Sequence, residues 1–395
     1  MKEEAYIVSS VRTPGCKNKK GAFKDTLPQD MLAFILKAAV DKVPNLQQQD
    51  IEDVMVGCAF PEAEQGLNIG RLAAQMAGFP ETVPGATVNR FCSSGLEAIA
   101  LSALRIQAGW IDVAIGAGIE SMTYVPIGGN LQRPHPEFAR KRADLYASMG
   151  ITAENVARRY DVSRLQQDEF AALSQQKAAA AQQSGGFTEI VPTPATRFAV
   201  QADGTYARET YLQSLDDGVR PGTTVEILAG LHPVFAAGGT VTAGNSSQTT
   251  DGAAATVLMS ASRVKELGVT PIAKLKMYAV IGCKPDEMGV GPRYAIPKLL
   301  DKAGLPMDAV GVWEINEAFA AQAVYCIREL GLDNYMDRIN LNGGAIALGH
   351  PLGCTGAKLC ATLLANMQAK GVQYGVESMC IGGGMGAAAL FELCS

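Results

Sequence analysis

The chain has 395 residues, 48% of them hydrophobic and 6% aromatic, with a formal net charge of −5. This length supports two or three domains or one large composite with a sizeable core, and the acidic balance gives no global reason to expect nucleic-acid or anionic-membrane partners. Nine cysteines, an odd number with no CxxC pair, argue against a disulfide framework or a zinc site and for reduced thiols in a cytoplasmic setting.

The start, MKEEAYIVSS, is acidic and passes at once into a strand, without the basic region and apolar stretch of a signal peptide. No uninterrupted apolar run reaches the ~20 residues of a membrane span. YIVSSV and DVMVGCAF read as strands and DMLAFILKAAVDKV as a helix. The run from Leu96 to Ala108 is apolar on nearly every side, as expected of a helix buried between layers. IDVAIGAG then reads as another buried strand. Alternation of this kind predicts α/β architecture for the stretch from Met1 to about Gly118.

From about Ile119 to Gly239 the chain is more polar. RPHPEFARKR is basic and proline-punctuated, which fits either a solvated face or an anionic-ligand role. Ser163 and Gln166 predict a capping box for a Gln- and Ala-rich helix ending near Ser184-Gly185-Gly186. The segment reads as an excursion inserted into the α/β framework.

From about Thr270 the α/β texture returns and echoes the first stretch. CSSGLEAIALSALRI matches GCTGAKLCATLLANM when Gly95 is laid on Gly356, and each is followed by a strand and glycines, VAIGAG and SMCIGGGMG. VMVGCAF parallels VWEINEAFA. The pattern is a two-copy duplication, whose central helices are expected to lie buried between two sheets. Chemistry in such sheets gathers at strand C-termini and helix N-termini. That placement selects NRFCSSG, EINEAF, the turn GGAIALGHPLGCTG at Gly343 to Gly356, and SMCIGGGMG.

His350, one of three histidines in the chain, sits between a glycine and a proline in that turn. An imidazole held this way suits proton abstraction or nucleophile activation; a buried structural histidine is the plainer alternative. Cys92 follows a predicted strand and opens the buried helix, where amides and dipole are expected to favour a thiolate; ordinary core packing is the alternative. Cys380 ends a predicted strand before three glycines whose amides suit an oxyanion, Gly382 being the natural donor. Asn316 follows the strand VGVWEI, where an uncharged amide can fix a water or polarise a carbonyl, or simply cap the next helix.

Together NRFCSSGLEA, VTAGNSSQTTDGAAA, EINEAFAAQA, GGAIALGHPLGCTGA and SMCIGGGMGAA resemble the thiolases in order and spacing across essentially the whole chain. VRTP at Val11 to Pro14 and MGITAEN at Met149 to Asn155 agree. GVRPGTTVEILAGLHPVF and YAVIGCKPDEMGVGPRYAIP are most similar to degradative 3-ketoacyl-CoA thiolases. Ser148 stands where biosynthetic relatives usually carry a His, and Tyr124 to Ala147 is shorter than their tetramer-forming loop; both departures favour a homodimer.

The resemblance implies a five-layer αβαβα thiolase fold. An N-terminal half at 1–118, completed by about 240–269, and a C-terminal half at 270–395 flank a loop domain at 119–239 that covers CoA. It implies thiolytic cleavage of 3-ketoacyl-CoA to acetyl-CoA and a shortened acyl-CoA. Cys92 would carry the acyl group and His350 take its proton. Cys380 would protonate the departing enolate, Asn316 hold it through a water, and the amides of Cys92 and Gly382 form the oxyanion hole. Arg220 matches the position near the nucleotide end, Ser247 and Met149 those on the pantetheine, with Ala318 and Phe319 beside the substrate. Ile227 replaces a CoA-contacting serine of some relatives. Coenzyme A is a substrate, and neither cofactor nor metal is expected; a hydratase/dehydrogenase partner is conceivable without a recognisable docking element. The alternatives are an acetoacetyl-CoA thiolase working in condensation and a non-catalytic acyl-CoA-binding scaffold.

Overall fold

The computed structural model describes residues 3–394. Its strands are β1 (Ala5–Arg12), β2 (Cys16–Lys17), β3 (Asp53–Gly57), β4 (Gly85–Val88), β5 (Val113–Ser121), β6 (Thr193–Val200), β7 (Tyr206–Gln213), β8 (Thr250–Ser260), β9 (Ala273–Gly282), β10 (Val312–Ile315), β11 (Tyr374–Ile381) and β12 (Met385–Leu393). Its helices are α1 (Pro28–Asp41), α2 (Ile69–Met76), α3 (Ser94–Gln107), α4 (Pro136–Lys141), α5 (Met149–Arg159), α6 (Arg164–Ser184), α7 (Val225–Ala229), α8 (Ala261–Leu267), α9 (Gly291–Ala303), α10 (Ala320–Glu329), α11 (Ala345–Leu348) and α12 (Thr355–Lys370).

The strand order is β10-β11-β12-β9-β1-β8-β5-β3-β4. Reading outward from its middle, β1-β8-β5-β3 is repeated as β9-β12-β11-β10, so the duplication seen in the residues is also a duplication of topology. The two expected sheets are hydrogen-bonded to each other where β1 and β9 meet, at Tyr6–Lys274 and Ile7–Ala273. Beyond that short join the halves diverge and enclose α3 and α12.

Alternation along each strand builds the layers. In β8, Ala253, Ala255, Val257 and Met259 face α1 and α2, while Ala254 and Leu258 face α3 and α12. In β12, Ala387, Ala389 and Phe391 face the same central pair, and Ala388 and Leu390 face α9. Strands covered on both faces carry no polar alternation, which is why β5 and β8 are buried along their whole length. The five layers are thus α1/α2, the first half-sheet, α3/α12, the second half-sheet, and α9/α10.

The two glycines that align in sequence touch each other's helices in space. A Cβ on Gly95 would lie 2.7 Å from the Ala357 amide nitrogen, and one on Gly356 would lie 2.4 Å from that of Leu96. Absence of a side chain lets the two helix N-termini meet, which brings Cys92 and the His350 turn to one place.

Between β5 and β8 lie α4 to α7 and the β6/β7 hairpin. α6 starts with the Ser163–Gln166 capping box and stops at Gly185 in the left-handed conformation, as the sequence predicts. The basic run forms α4 and its flanks and is exposed, which fits the solvated-face reading. Among the described residues no helix is long and apolar enough to cross a membrane.

Candidate active site

Four chain segments supply the site. Cys92 lies in a 3-10 turn between β4 and α3. The turn reverses at Phe91, whose φ is +44°, a conformation that costs about 1–3 kcal/mol in a residue with a side chain. Local bonds hold it: Phe91 N–H donates to Asn89 Oδ1 at 2.8 Å and Ser94 Oγ donates to the Phe91 carbonyl at 2.6 Å. The Cys92 thiol packs against Ala59, Met122 and Leu352, two residues beyond His350.

Burial pushes the Cys92 thiol up to about 12, against the pull of the Gly382 amide and its own. The expected lowering by the helix N-terminus is therefore outweighed, because lost hydration of a buried anion exceeds what two amides return. Both amides face the sulfur, which is the arrangement needed to receive an oxygen anion formed beside it.

His350 follows α11 and is buried. Its Nδ1 lies 2.5 Å from Thr355 Oγ1, whose own proton goes to the Pro351 carbonyl at 2.9 Å. A hydroxyl has one proton to give, so Thr355 accepts from Nδ1–H. The tautomer is fixed, and Nε2 carries the lone pair. Nε2 faces Asn316 Nδ2 at 3.4 Å. Burial, with a smaller contribution from the Lys358 charge, holds the imidazole down at about 3. The ring is neutral at physiological pH, the form a general base requires.

Asn316 sits at the end of β10, its N–H on the Ser378 carbonyl at 2.9 Å. The cap of α10 is Phe319, three residues on, so the helix-capping alternative for Asn316 is excluded. Its side-chain Oδ1 is buried with no partner among the described residues. Cys380 is the penultimate residue of β11, in register with Gly386 of β12, and its thiol points at Gln322 Oε1, 3.8 Å away. Burial drives this thiol well upward, and the Cys92 sulfur is the first of the ionisable neighbours adding to it. Cys380 packs with Met149, Ala318, Phe319 and Met288 in one small apolar cluster. Gly382 lies two residues on, just past the end of β11, and a Cβ there would first meet Met149 Sδ at 3.7 Å.

The remaining positions lie around this centre. Ser247 donates its N–H to the Ala318 carbonyl at 2.9 Å, and Ser246 bridges to Phe319, fixing the strand-like wall beside Cys380. Arg220 is exposed in the inserted region, held by its main-chain N–H on Gln175 Oε1 at 2.8 Å. Among the described residues no group of three or more His, Cys, Asp or Glu side chains could hold a metal.

The chain matches the description "Thiolase, N-terminal domain" over residues 5–262 and "Thiolase, C-terminal domain" over 269–393. It belongs to the thiolase family. It is 50% identical over 393 residues to the 3-ketoacyl-CoA thiolase of Bacillus subtilis, covering 99% of this chain and 100% of that one. Mouse peroxisomal 3-ketoacyl-CoA thiolase B is 48% identical over 393 residues, covering 98% and 91%. The dimeric peroxisomal thiolase of Saccharomyces cerevisiae superposes with a TM-score of 0.88 at 40% identity, covering 99% and 97%. The acetyl-CoA acetyltransferase of Bacillus anthracis gives 0.89 at 36% identity, covering 100% and 99%.

Sequence reasoning passed over several residues that build this thiolase site. Thr355 fixes the His350 tautomer; its position five residues after the histidine, at a helix start, was the available signal. Glu317 accepts from Ser174 Oγ at 2.6 Å, Asn340 Nδ2 at 2.8 Å and Ile346 N–H at 3.2 Å, tying the β10 end to the turn that leads to His350. Glu120, at the end of β5, accepts from the amides of Ala59 at 2.8 Å and Gly353 at 2.7 Å, joining the Cys92 and His350 halves. Their partners lie far away in sequence, so nothing local announces them.

Proposed function

We propose that the protein is a 3-ketoacyl-CoA thiolase that cleaves its substrate by a ping-pong route through an acyl-thioester on Cys92. The observation carrying this reading is a site with two buried thiols, one neutral imidazole whose Nε2 lone pair faces Asn316, and two amides directed at the first thiol.

Cys92 Sγ attacks the C3 ketone of the substrate while its proton passes to His350 Nε2. The alkoxide is met by the amides of Cys92 and Gly382. It collapses, the C2–C3 bond breaks, and its electron pair goes to C2 as the enolate of acetyl-CoA. Asn316, through a water, and the protonated His350 hold the enolate oxygen, and Cys380 delivers a proton to C2. Acetyl-CoA leaves. The thiol of a second CoA then gives its proton to the Cys380 thiolate and attacks the Cys92 thioester; Cys92 leaves as the thiolate, takes its proton back from His350, and the shortened acyl-CoA is released. High thiol values suit this order, since each thiol gives up its proton only as charge develops on the substrate.

Arg220 would meet the nucleotide end of CoA, and Ser247 and Met149 its pantetheine arm, with Ala318 and Phe319 lining the acyl side. CoA is a substrate in this scheme, which calls for neither cofactor nor metal. The working unit is a homodimer in a cytoplasmic setting, supported by the dimeric yeast relative and by nine cysteines that are all free; a hydratase/dehydrogenase protein would be a transient partner.

Two variants and a substrate series test the reading. Cys92→Ala should abolish both thiolysis and trapping of a labelled acyl group. Cys380→Ala should still accept an acyl group from acyl-CoA yet lose carbon–carbon cleavage. Full thiolysis by Cys92→Ala would refute the scheme. A series of 3-ketoacyl chains separates the two activities named among the relatives: activity confined to acetoacetyl-CoA, with condensation dominant, would assign the acetyltransferase role instead.

A further inference from the structure

Lys358 takes no part in the chemistry above, yet it is a lysine only 4% exposed, in the first turn of α12. Its Nζ donates to the Gly349 carbonyl at 3.3 Å; among the described residues this is its one hydrogen bond, and it has no ion pair. An ammonium buried without a paired carboxylate costs several kcal/mol. An apolar side chain at this core position would avoid that cost, so the lysine points to a task.

The bond it makes identifies the task. The Gly349–His350 peptide is clamped at both ends. Lys358 holds its carbonyl, while its N–H donates to the Gln248 carbonyl and to Thr250 Oγ1, each at 3.1 Å. Gly349 has a φ of +83° and stands against Thr250, where a Cβ would lie 2.2 Å from Oγ1. The glycine is free to rotate by itself, so the clamp decides the plane from which the imidazole hangs.

We propose that Lys358 is a positioning residue for His350: it locks the Gly349 carbonyl and sets a positive charge near the ring, keeping the Nε2 lone pair turned into the site, where Asn316 faces it. The inference rests on the thiolase reading of His350. The titratable groups near Lys358 are Arg12 of β1, Asp216 in the loop after β7 and Glu314 of β10, with the Cys354 thiol in the turn before its own helix. Arg12 is itself paired with Glu189 and Asp216. Burial and Arg12 lower the lysine, and Asp216 and Glu314 work against them. Lys358 is also the charge that adds to burial in keeping His350 neutral.

The test compares Lys358→Met and Lys358→Arg with the unaltered protein in thiolysis of acetoacetyl-CoA and of a longer 3-ketoacyl-CoA. Lys358→Met should lose on the order of tenfold to a hundredfold in kcat with little change in the KM for CoA. Its acid limb of kcat/KM should move upward, toward the ordinary imidazole value of about 6.5. Lys358→Arg should recover most of the rate and the original limb. If Lys358→Met does not fold, Lys358→Gln, which keeps a donor and loses the charge, should show the same shifted limb. An unchanged kcat and pH profile in the folded charge-free variant overturns the proposal, as does equal loss in the Met and Arg variants with no movement of the limb. Absence of thiolysis in the unaltered protein would instead refute the thiolase reading.

Discussion

The hydroxyl of Thr355 accepts the Nδ1 proton of His350 at 2.5 Å while giving its own proton to the Pro351 carbonyl at 2.9 Å. One side chain thus decides which nitrogen of the imidazole faces the substrate. A helix start supplies the hydroxyl and the turn before it supplies the carbonyl, so the base and its tautomer arise from a single stretch of chain.

Thr355→Val removes the acceptor at nearly constant volume. Nε2–H and Nδ1–H imidazole then become comparable in population, and Nδ1 loses a bond worth about 1 kcal/mol. We expect kcat to fall on the order of tenfold or more, with Thr355→Ser restoring most of it. The 15N shifts of His350 should show a defined Nδ1–H tautomer in the parent and a mixture in the valine variant. Equal rates for all three proteins would show that the tautomer is set elsewhere.

Glu314 and Glu377 lie side by side in the β10/β11 pairing and are both buried. Burial pushes Glu314 up from 4.5 to about 8, and Asn366 Nδ2 donates to it at 3.0 Å. A carboxyl raised in the folded state keeps its proton there when the unfolded chain has lost it. Its contribution is complete below pH 4.5 and declines as pH rises toward about 8. A tenfold difference in proton affinity between the two states corresponds to about 1.4 kcal/mol. Glu314→Gln keeps the Asn366 bond and cannot ionise. Urea unfolding at several pH values between these limits should give a shallower loss of stability than in the parent, with the difference largest at the alkaline end. The remaining slope belongs to the other carboxyls that burial drives upward, Glu377, Glu317, Glu120 and Asp251. Identical slopes would mean that Glu314 does not hold its proton in the fold.

Gly356→Ala places a methyl group 2.4 Å from the Leu96 amide nitrogen, and backbone cannot yield as a side chain does. Separation of α3 and α12 should cost about 1–3 kcal/mol in stability. Activity should fall beyond what the folded fraction explains, because Cys92 and His350 ride on these two helix starts. Alanine at Gly371, whose φ is +63° with open space around it, serves as a control for strain without the helix contact. Denaturant melts and kcat on the folded fraction separate the two effects; a Gly356→Ala protein with normal kcat would show that the approach of these helices can relax without disturbing the site.

The residues alone carried a good deal of this structure. Strand and helix periodicity placed α1, α3, β1, β3 and β5 near their observed bounds, because sheets covered on both faces demand continuous apolar strands. The Ser163 capping box and the glycine after Ser184 fixed the ends of α6 by local hydrogen bonding, which is a sequence property. The match of Gly95 with Gly356 disclosed the duplication. Cys92, His350 and Cys380 stood out because each falls where a strand or turn meets a glycine-rich bend, and Asn316 because it falls between a strand and an apolar helix.

Tertiary structure decided what depends on groups brought in from afar. Solvation is one such matter: the helix start at Cys92 suggests a thiolate, while burial by Ala59, Met122 and Leu352 keeps the thiol protonated. Pairing is another. Glu120, Glu317 and Lys358 read in sequence as ordinary charged residues, and their meaning lies in the Gly353, Ile346 and Gly349 backbone groups they reach across the fold. The two sheets foreseen from the duplication are joined because β1 and β9, far apart in the chain, meet edge to edge over two residue pairs. The order of residues thus determined which groups are available and how each segment folds; the fold determined which of them lose water, and through that their protonation and their chemistry.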